Sequence, residues 1–429
     1  MEKLNEDFII NLSNNKGEPL WMKNFRLNSY KKFLELDNPS FGPKINIDFD
    51  NLVYHKGLFA PPSCSWENVD KKVKNTFNDL GVIEAENKYL KGVSNQYESE
   101  VIYHKMEESD GIIFLSTDEA LKKYPVLFEK YFNNLVKYDE NKYTALNGAL
   151  WSGGSFIYIP PYTKVDRPLQ SYFRIDTKNL GQFERTIIIV DHDSSLHYIE
   201  GCTAKNYSTT SLHAGVVEIY VGKNSTCKYS TIQNWSKDVY NLVTKRAILE
   251  EGAYMQWVDG NIGSGVTMKY PSCILKGDNS KASSISIAYA KEGQHLDAGA
   301  KMIHLGKNTK STIISKSIAG FGGTSDYRGT VKIAKDATGS FATIKCDNII
   351  LDNISSSNTY PKNIVENNES TLEHEATISK INEEKLNYLM SLGISEDAAK
   401  DLYVLGFMSD FKKSLPMEYA VELNRLIKE

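Results

Sequence analysis

Cys346 is followed, twenty-eight residues later, by His374 inside Glu373-His374-Glu375. A thiol, an imidazole and two carboxylates are a metal-ligand set. Soft thiolate with imidazole or carboxylate suits iron–sulfur ligation. A thiolate beside a histidine also has a lowered pKa and attacks persulfide sulfur more readily. The chemistry needs the groups close together. Paired strands lie about 4.8 Å apart, so one full circuit of a strand-built coil between the thiol and the imidazole would stack Cys346 against His374. Glu375 misses that register by one residue. The plainer reading keeps Cys346 buried, His374 capping a last rung, and Glu373 and Glu375 in solvent.

The elements that must position these groups are short strands. Phe156–Ile159, Thr186–Val190, Val216–Val221, Tyr254–Val258, Ser284–Tyr289 and Thr312–Lys316 are β-branched and partly alternating, and helical periodicity nearly vanishes from about 150 to 370. Turn signals recur at Asn224, Gly252, Asp278, Gly293, Lys307 and Asp336. Their spacing is roughly one or two units of 14, and a repeat near 28 is compatible with a stacked β-solenoid. A sandwich would place turns every 8–12 residues.

On either side the texture is helical. Trp21, Met22 and Phe25 mark one helix, and Val69, Val73, Phe77 and Leu80 a second. A third opens at Thr117-Asp118-Glu119 and runs through Leu121, Val126, Leu127, Phe128, Tyr131 and Phe132. Past 380, Glu383–Leu392 ends at Gly393, Ser395 starts another helix, and Pro416 sits at the first position of a last one. The expected division is 1–140, mixed and mainly helical; 141–376, the β core; 377–429, a helical domain.

Composition narrows the class. The 429 residues are enough for two or three domains, and 41% hydrophobic with 24% charged is globular. A net charge of −4 without a basic block argues against a nucleic-acid surface. No apolar run approaches membrane-span length, and MEKLNEDFII lacks a signal-peptide pattern. A cytoplasmic protein is expected. Cys64, Cys202, Cys227, Cys273 and Cys346 form no C-x-x-C pair. Gly306-Lys307-Asn308-Thr309-Lys310-Ser311 is not a phosphate loop, so ATP is not bound that way, and there is no G-x-S-x-G elbow. His213, His295 and His304 read as satisfied core or turn residues. Lys164, Asp166 and Arg167 read as a solvated loop, and Lys245-Arg246 fits either role.

ALNGALWSGGSFIYIP at 145–160, LQSYFRID at 169–176, IEGCTA at 199–204 and STIQNWSKDVYNLVTKRA at 230–247 are recognisable together. So are WVDGNIGS at 257–264, MKYPSCILKGDNS at 268–280, QHLDAGAKMIHLGKNTKSTIISKSI at 294–318, LEHEATISKI at 372–381 and LPMEYAVELNRLI at 415–427. They resemble the SufBD family of the SUF iron–sulfur cluster assembly machinery. The match is to its SufB branch rather than SufD, whose corresponding region lacks the Glu-His-Glu setting. The resemblance implies a right-handed parallel β-helix core flanked by an N-terminal α/β domain and a C-terminal helical domain.

It also implies a scaffold rather than an enzyme. The cargo would be a transient iron–sulfur cluster, 4Fe-4S or 2Fe-2S, with reduced flavin in some complexes of the family. The ATPase SufC would bind the C-terminal helices, and SufD or a second SufB the β-helix end. Sulfur would come from SufS through SufE or SufU, and apo iron–sulfur proteins would take the product. The family's essential cysteine matches Cys346, with the glutamates and histidine of LEHEA, Glu373, His374 and Glu375, near it. Those residues become candidate assembly residues, and Cys346, His374 and Glu375 candidate metal ligands. One departure stands out. Some family members carry a further cysteine just after VTKRA, where sulfur is thought to arrive; here that place holds Leu249. Cys202 and Cys273 match family cysteines but sit in apolar, strand-like surroundings. Two rivals remain: a SufD-like, non-assembling structural partner, and a carbohydrate-active β-helix enzyme, which would need clustered carboxylates in an open groove.

Overall fold

The computed structural model describes residues 3–57, 59–79, 82–107, 111–205 and 210–412. The protein is mainly β: a solenoid of about eight turns, with an N-terminal α/β region before it and helices after it. Two sheets, of ten and twelve strands, form its walls. Successive coils pair in parallel, as where Thr226–Asn234 lies between Ser195–Ala204 and Tyr254–Asn261. The six strands read from the sequence are all present. Several run longer, such as Lys281–Ala290 and Lys310–Ala319, because inward Ser and Ala continue the ladder without an apolar signal.

Corners explain the repeat. Asn224, Gly252, Asn279, Asn308 and Gly339 occupy the left-handed region at one corner of successive coils, with φ of 55°, 67°, 61°, 56° and 69°. The N–H of each of the first four donates to a carbonyl of the next coil at 2.8–2.9 Å. Glycine at 252 and 339 leaves room for the side chains of Asn224 and Asn308, whose amide oxygens would lie 2.5 and 2.4 Å from a Cβ there. The expected turn residues Asp278 and Lys307 lie in these turns, and the residue after each takes the left-handed conformation.

Both faces of the twelve-stranded sheet are covered near its start, so Arg185–Val190 is buried throughout. Ile188 and Val190 face the interior. Ile187 and Ile189 face outward, where Met22, Phe128 and Trp151 cover them. The helix expected from Thr117 to Phe132 is two, Thr117–Lys123 and Pro125–Tyr131, because Pro125 cannot continue the first turn ladder. The N-terminal region also holds a hairpin that its helical texture hid. Gly92–Tyr97 pairs in parallel with Leu169–Ile175 and antiparallel with Glu100–Met106, starting the ten-stranded sheet. Leu80 and the helix read from Pro416 lie outside the described residues.

One buried carboxylate ties the N-terminal region to the coil. Glu218 accepts the backbone N–H groups of Asn133, Leu135 and Val136 at 3.0, 2.7 and 3.0 Å, and pairs with Arg185 at 2.8 Å. Both side chains are 0% exposed. Replacing Glu218 by Ala strands a buried guanidinium, and a loss of about 3–5 kcal/mol is expected; denaturant unfolding of the variant checks it.

His304 is a core residue with both ring nitrogens bonded, Nδ1 to Thr309 Oγ1 at 2.7 Å and Nε2 to Ser311 Oγ at 2.8 Å. Burial pulls its pKa down to about 4. Between pH 6.5 and about 4 the unfolded chain therefore holds a proton that the folded chain refuses. Stability falls as pH drops through that window, by about 1.4 kcal/mol per pH unit for this residue. Denaturant midpoints measured across pH 7 to 4 are expected to show it, and His304→Gln should reduce the slope by about one proton.

Candidate functional site

The backbone register decides what can meet Cys346. On the strand Phe341–Ile350 the residues Ala342, Ile344, Cys346 and Asn348 point inward and are buried. The last strand, Thr371–Lys380, pairs with it so that Cys346 lies beside Ala376 and His374 beside Ile344. This coil is 30 residues long, against the 28 expected, so the expected stacking of Cys346 on His374 is two residues out. Parity still puts both on the inward face, diagonal neighbours roughly 8 Å apart at Cα on strand spacing and rise.

Glu373 and Glu375 have the opposite parity. They pair with Thr343 and Lys345 and are exposed, and Glu375 sits 3.8 Å from the Lys345 ammonium. Both carboxylates therefore face solvent, away from the thiol. Among the described residues no three of His, Cys, Asp and Glu gather into a metal-holding group.

Cys346 is 0% exposed, and burial pushes its thiol up to about 12, with the Tyr327 hydroxyl opposing the rise. His374 lies at the open end of the coil. Its Nδ1 is 3.1 Å from Asn363 Nδ2, while its Nε2 is shielded from solvent without a partner. Burial holds its pKa below the usual imidazole value. Asn348 Nδ2 donates to Thr359 Oγ1 at 2.9 Å, leaving Oδ1 buried and unpaired.

The sequence reading missed what stands behind Cys346. Following the register back gives Ser315, Ser286, Asp259, Thr231, Glu200 and Ser171, all buried. Cys346 thus ends an unbroken inward lane of polar residues. Charges along it are paired: Lys245 to Glu200 at 3.1 Å and Lys269 to Asp259 at 2.9 Å. The adjoining lane runs Leu169, Tyr198, Tyr229, Trp257, and the Tyr229 hydroxyl donates to Glu200. The available signal was parity. In VTKRA, Lys245 and Ala247 share a face, so Lys245 points inward and Arg246 outward to Glu140 at 2.7 Å. His213 is likewise interior, bonded to Asn241 at 2.9 Å and 2.7 Å from Glu184. His295 is half-buried and lies 2.8 Å from Asp326.

Comparison with known proteins places this arrangement. Residues 173–407 match the family profile described as "SUF system FeS cluster assembly, SufBD core domain", and residues 68–171 match "SufBD protein N-terminal region". The chain belongs to the SufBD family. It is 53% identical over 429 residues to the iron–sulfur cluster assembly protein SufB of Bacillus subtilis (strain 168), covering 99% of this chain and 92% of that one. It is 54% identical, with the same coverage, to SufBD-family proteins of Staphylococcus saprophyticus and Staphylococcus aureus. The SufBD core match spans Cys346 and the whole of Thr371–Lys380. Leu249, two residues past VTKRA, is fully buried in the core.

The other thiols separate cleanly. Cys202, Cys227 and Cys273 are buried, and burial raises each thiol pKa. Cys64 is exposed. Brief alkylation of the folded chain near pH 8 is expected to label Cys64 first, with the four buried thiols roughly tenfold or more slower. Peptide mass spectrometry reads the order directly.

Proposed function

We propose that this SufBD-family chain is a scaffold for iron–sulfur cluster assembly, with Cys346 as the residue that accepts sulfur and holds the nascent cluster. The observation that carries this is the position of Cys346, at the end of a buried polar lane and one coil from an open end lined by His374 and Asn348. Sulfur delivery is an exchange. The Cys346 thiolate attacks the terminal sulfur of a donor persulfide, a new S–S bond forms, the donor S–S bond breaks, and the donor leaves as thiolate with the electron pair. A two-electron reductant, such as the reduced flavin that the family resemblance implies, would then cleave the persulfide to sulfide and return the thiolate, and iron would add as cargo. His374 is the intrachain candidate for a further ligand. Glu373 and Glu375 would join only after the last strand turns or a second chain folds over it.

The same reading assigns the partners. Exposed Tyr388 and Leu402 on the helices Glu383–Ser391 and Glu396–Phe407, with exposed Leu392 just past the first, support a docking face for an ATPase such as SufC. The strands Ser356–Val365 and Thr371–Lys380 each have a single neighbour in their sheets. That supports pairing with SufD or a second copy at this end. An ATP-driven change in the complex would expose the thiol, which is shut away in the chain alone. SufS with SufE or SufU would supply sulfur in the cytoplasm. The SufD-like rival gains from the burial of Cys346, for a purely structural partner needs no reactive thiol.

One variant decides between them. Cys346→Ala, reconstituted with its ATPase partner, iron and a sulfide source, is expected to lose nearly all of its visible thiolate-to-iron absorption while still co-purifying with that partner. Undiminished loading would remove Cys346 from the mechanism.

A further inference from the structure

Tyr327 stands opposite Cys346. It lies on Thr324–Ile333 in the facing sheet, 1% exposed, with its ring directed into the coil. Its buried hydroxyl has no hydrogen-bond partner, and the Cys346 thiol is the group it interacts with electrostatically. A fully buried hydroxyl without a partner costs free energy that phenylalanine would not. The chain also makes room for it. At Gly329, on the same strand, a Cβ would stand 2.8 Å from Tyr327 Cε1 and 2.9 Å from its Oη. The backbone there has no left-handed φ, so the ring is what glycine accommodates.

We propose that Tyr327 is a positioning residue for the sulfur chemistry at Cys346, its hydroxyl donating to the sulfur added on that thiol. The proposal rests on the reading of Cys346 as a sulfur acceptor. The added sulfur is an acceptor for a hydroxyl that has no partner in the sulfur-free chain. The bond would hold it aimed along the interior and slow its loss to outside thiols.

The full-length chain, in complex with its ATPase partner and ATP so that the thiol is opened, is loaded with inorganic polysulfide, passed into fresh buffer with a small thiol, unfolded and trapped by alkylation at intervals. Peptide mass spectrometry gives the half-life of the Cys346 persulfide. Tyr327→Phe is expected to shorten it roughly threefold to tenfold, the effect of one neutral hydrogen bond. Its thermal midpoint should equal or exceed that of the unaltered chain. Gly329→Ala, which displaces the ring and keeps the hydroxyl, should shorten the half-life in the same direction. An unchanged half-life in Tyr327→Phe overturns the proposal, as does a shortened one accompanied by a lowered thermal midpoint. Cys346→Ala separates the two levels. Failure of the unaltered chain to load at Cys346, or equal loading of Cys346→Ala, overturns the acceptor reading beneath it.

Discussion

The parallel ladder is the constraint from which the rest follows. Each coil residue stands on one residue of the coil before it, and strand alternation fixes whether its side chain enters the interior or leaves it. A slip of one position would turn every lane inside out. Along the Cys346 lane the coils measure between 27 and 31 residues, from Glu200 through Thr231, Asp259, Ser286, Ser315 and Cys346 to Ala376. The left-handed Asn and Gly corner stays seven residues ahead of the lane, from Asn224 and Thr231 to Gly339 and Cys346, so the difference is absorbed elsewhere in each coil. The neighbours of the thiol are therefore a matter of counting coils, and a two-residue change in coil length moved His374 from beside Cys346 to the diagonal.

The interior built this way has two characters. One wall carries an apolar lane, Ile188, Ile219, Ala247, Cys273, Met302 and Val331, which supplies ordinary core packing. The opposite wall carries the polar lane with its Glu200–Lys245 and Asp259–Lys269 pairs. Ion pairs buried this deeply recover their desolvation cost only through good geometry, and apolar residues of the same size would often hold the coil as well. Stability alone does not account for their presence. A polar path leading to a thiol is consistent with an interior that handles sulfur or iron.

How much of this was legible is a question of signal type. The β-solenoid could be read because β-branched runs such as Arg185–Val190 and turn residues such as Asn224 and Gly252 are local signals. The hairpin Gly92–Tyr97 and Glu100–Met106 could not, since GVSNQY has neither apolar alternation nor β-branched density and takes its shape from pairing with Leu169–Ile175. The lanes were also invisible, because they depend on the exact length of every coil. Glu200 and Lys245 are 45 positions apart and meet only through the stacked register. The family motifs drew attention to Cys346 and LEHEA, but motif proximity says nothing of parity, which sends Glu373 and Glu375 to solvent.

The two ends of the solenoid are finished differently. At the first end the antiparallel hairpin closes the ten-stranded sheet, and helices cover the other wall. At the last end the coil stops on strands whose inward positions are mixed, with Leu372 and Ala376 on either side of His374. The apolar lane that reaches Val331 continues to Asn363, and the lane that reaches Ile344 continues to His374. The edge is blunted by Pro361 and Lys362. Arg328 also holds it, bonded to Asp297 at 2.7 Å and set between the rings of Phe41 and Tyr360 at 5.1 and 4.0 Å. A solenoid built only to be stable would plug such an end with apolar side chains. This one leaves His374 Nε2 and Asn348 Oδ1 without protein partners near a thiol, groups that a ligand carrying its own donors, acceptors or metal would satisfy.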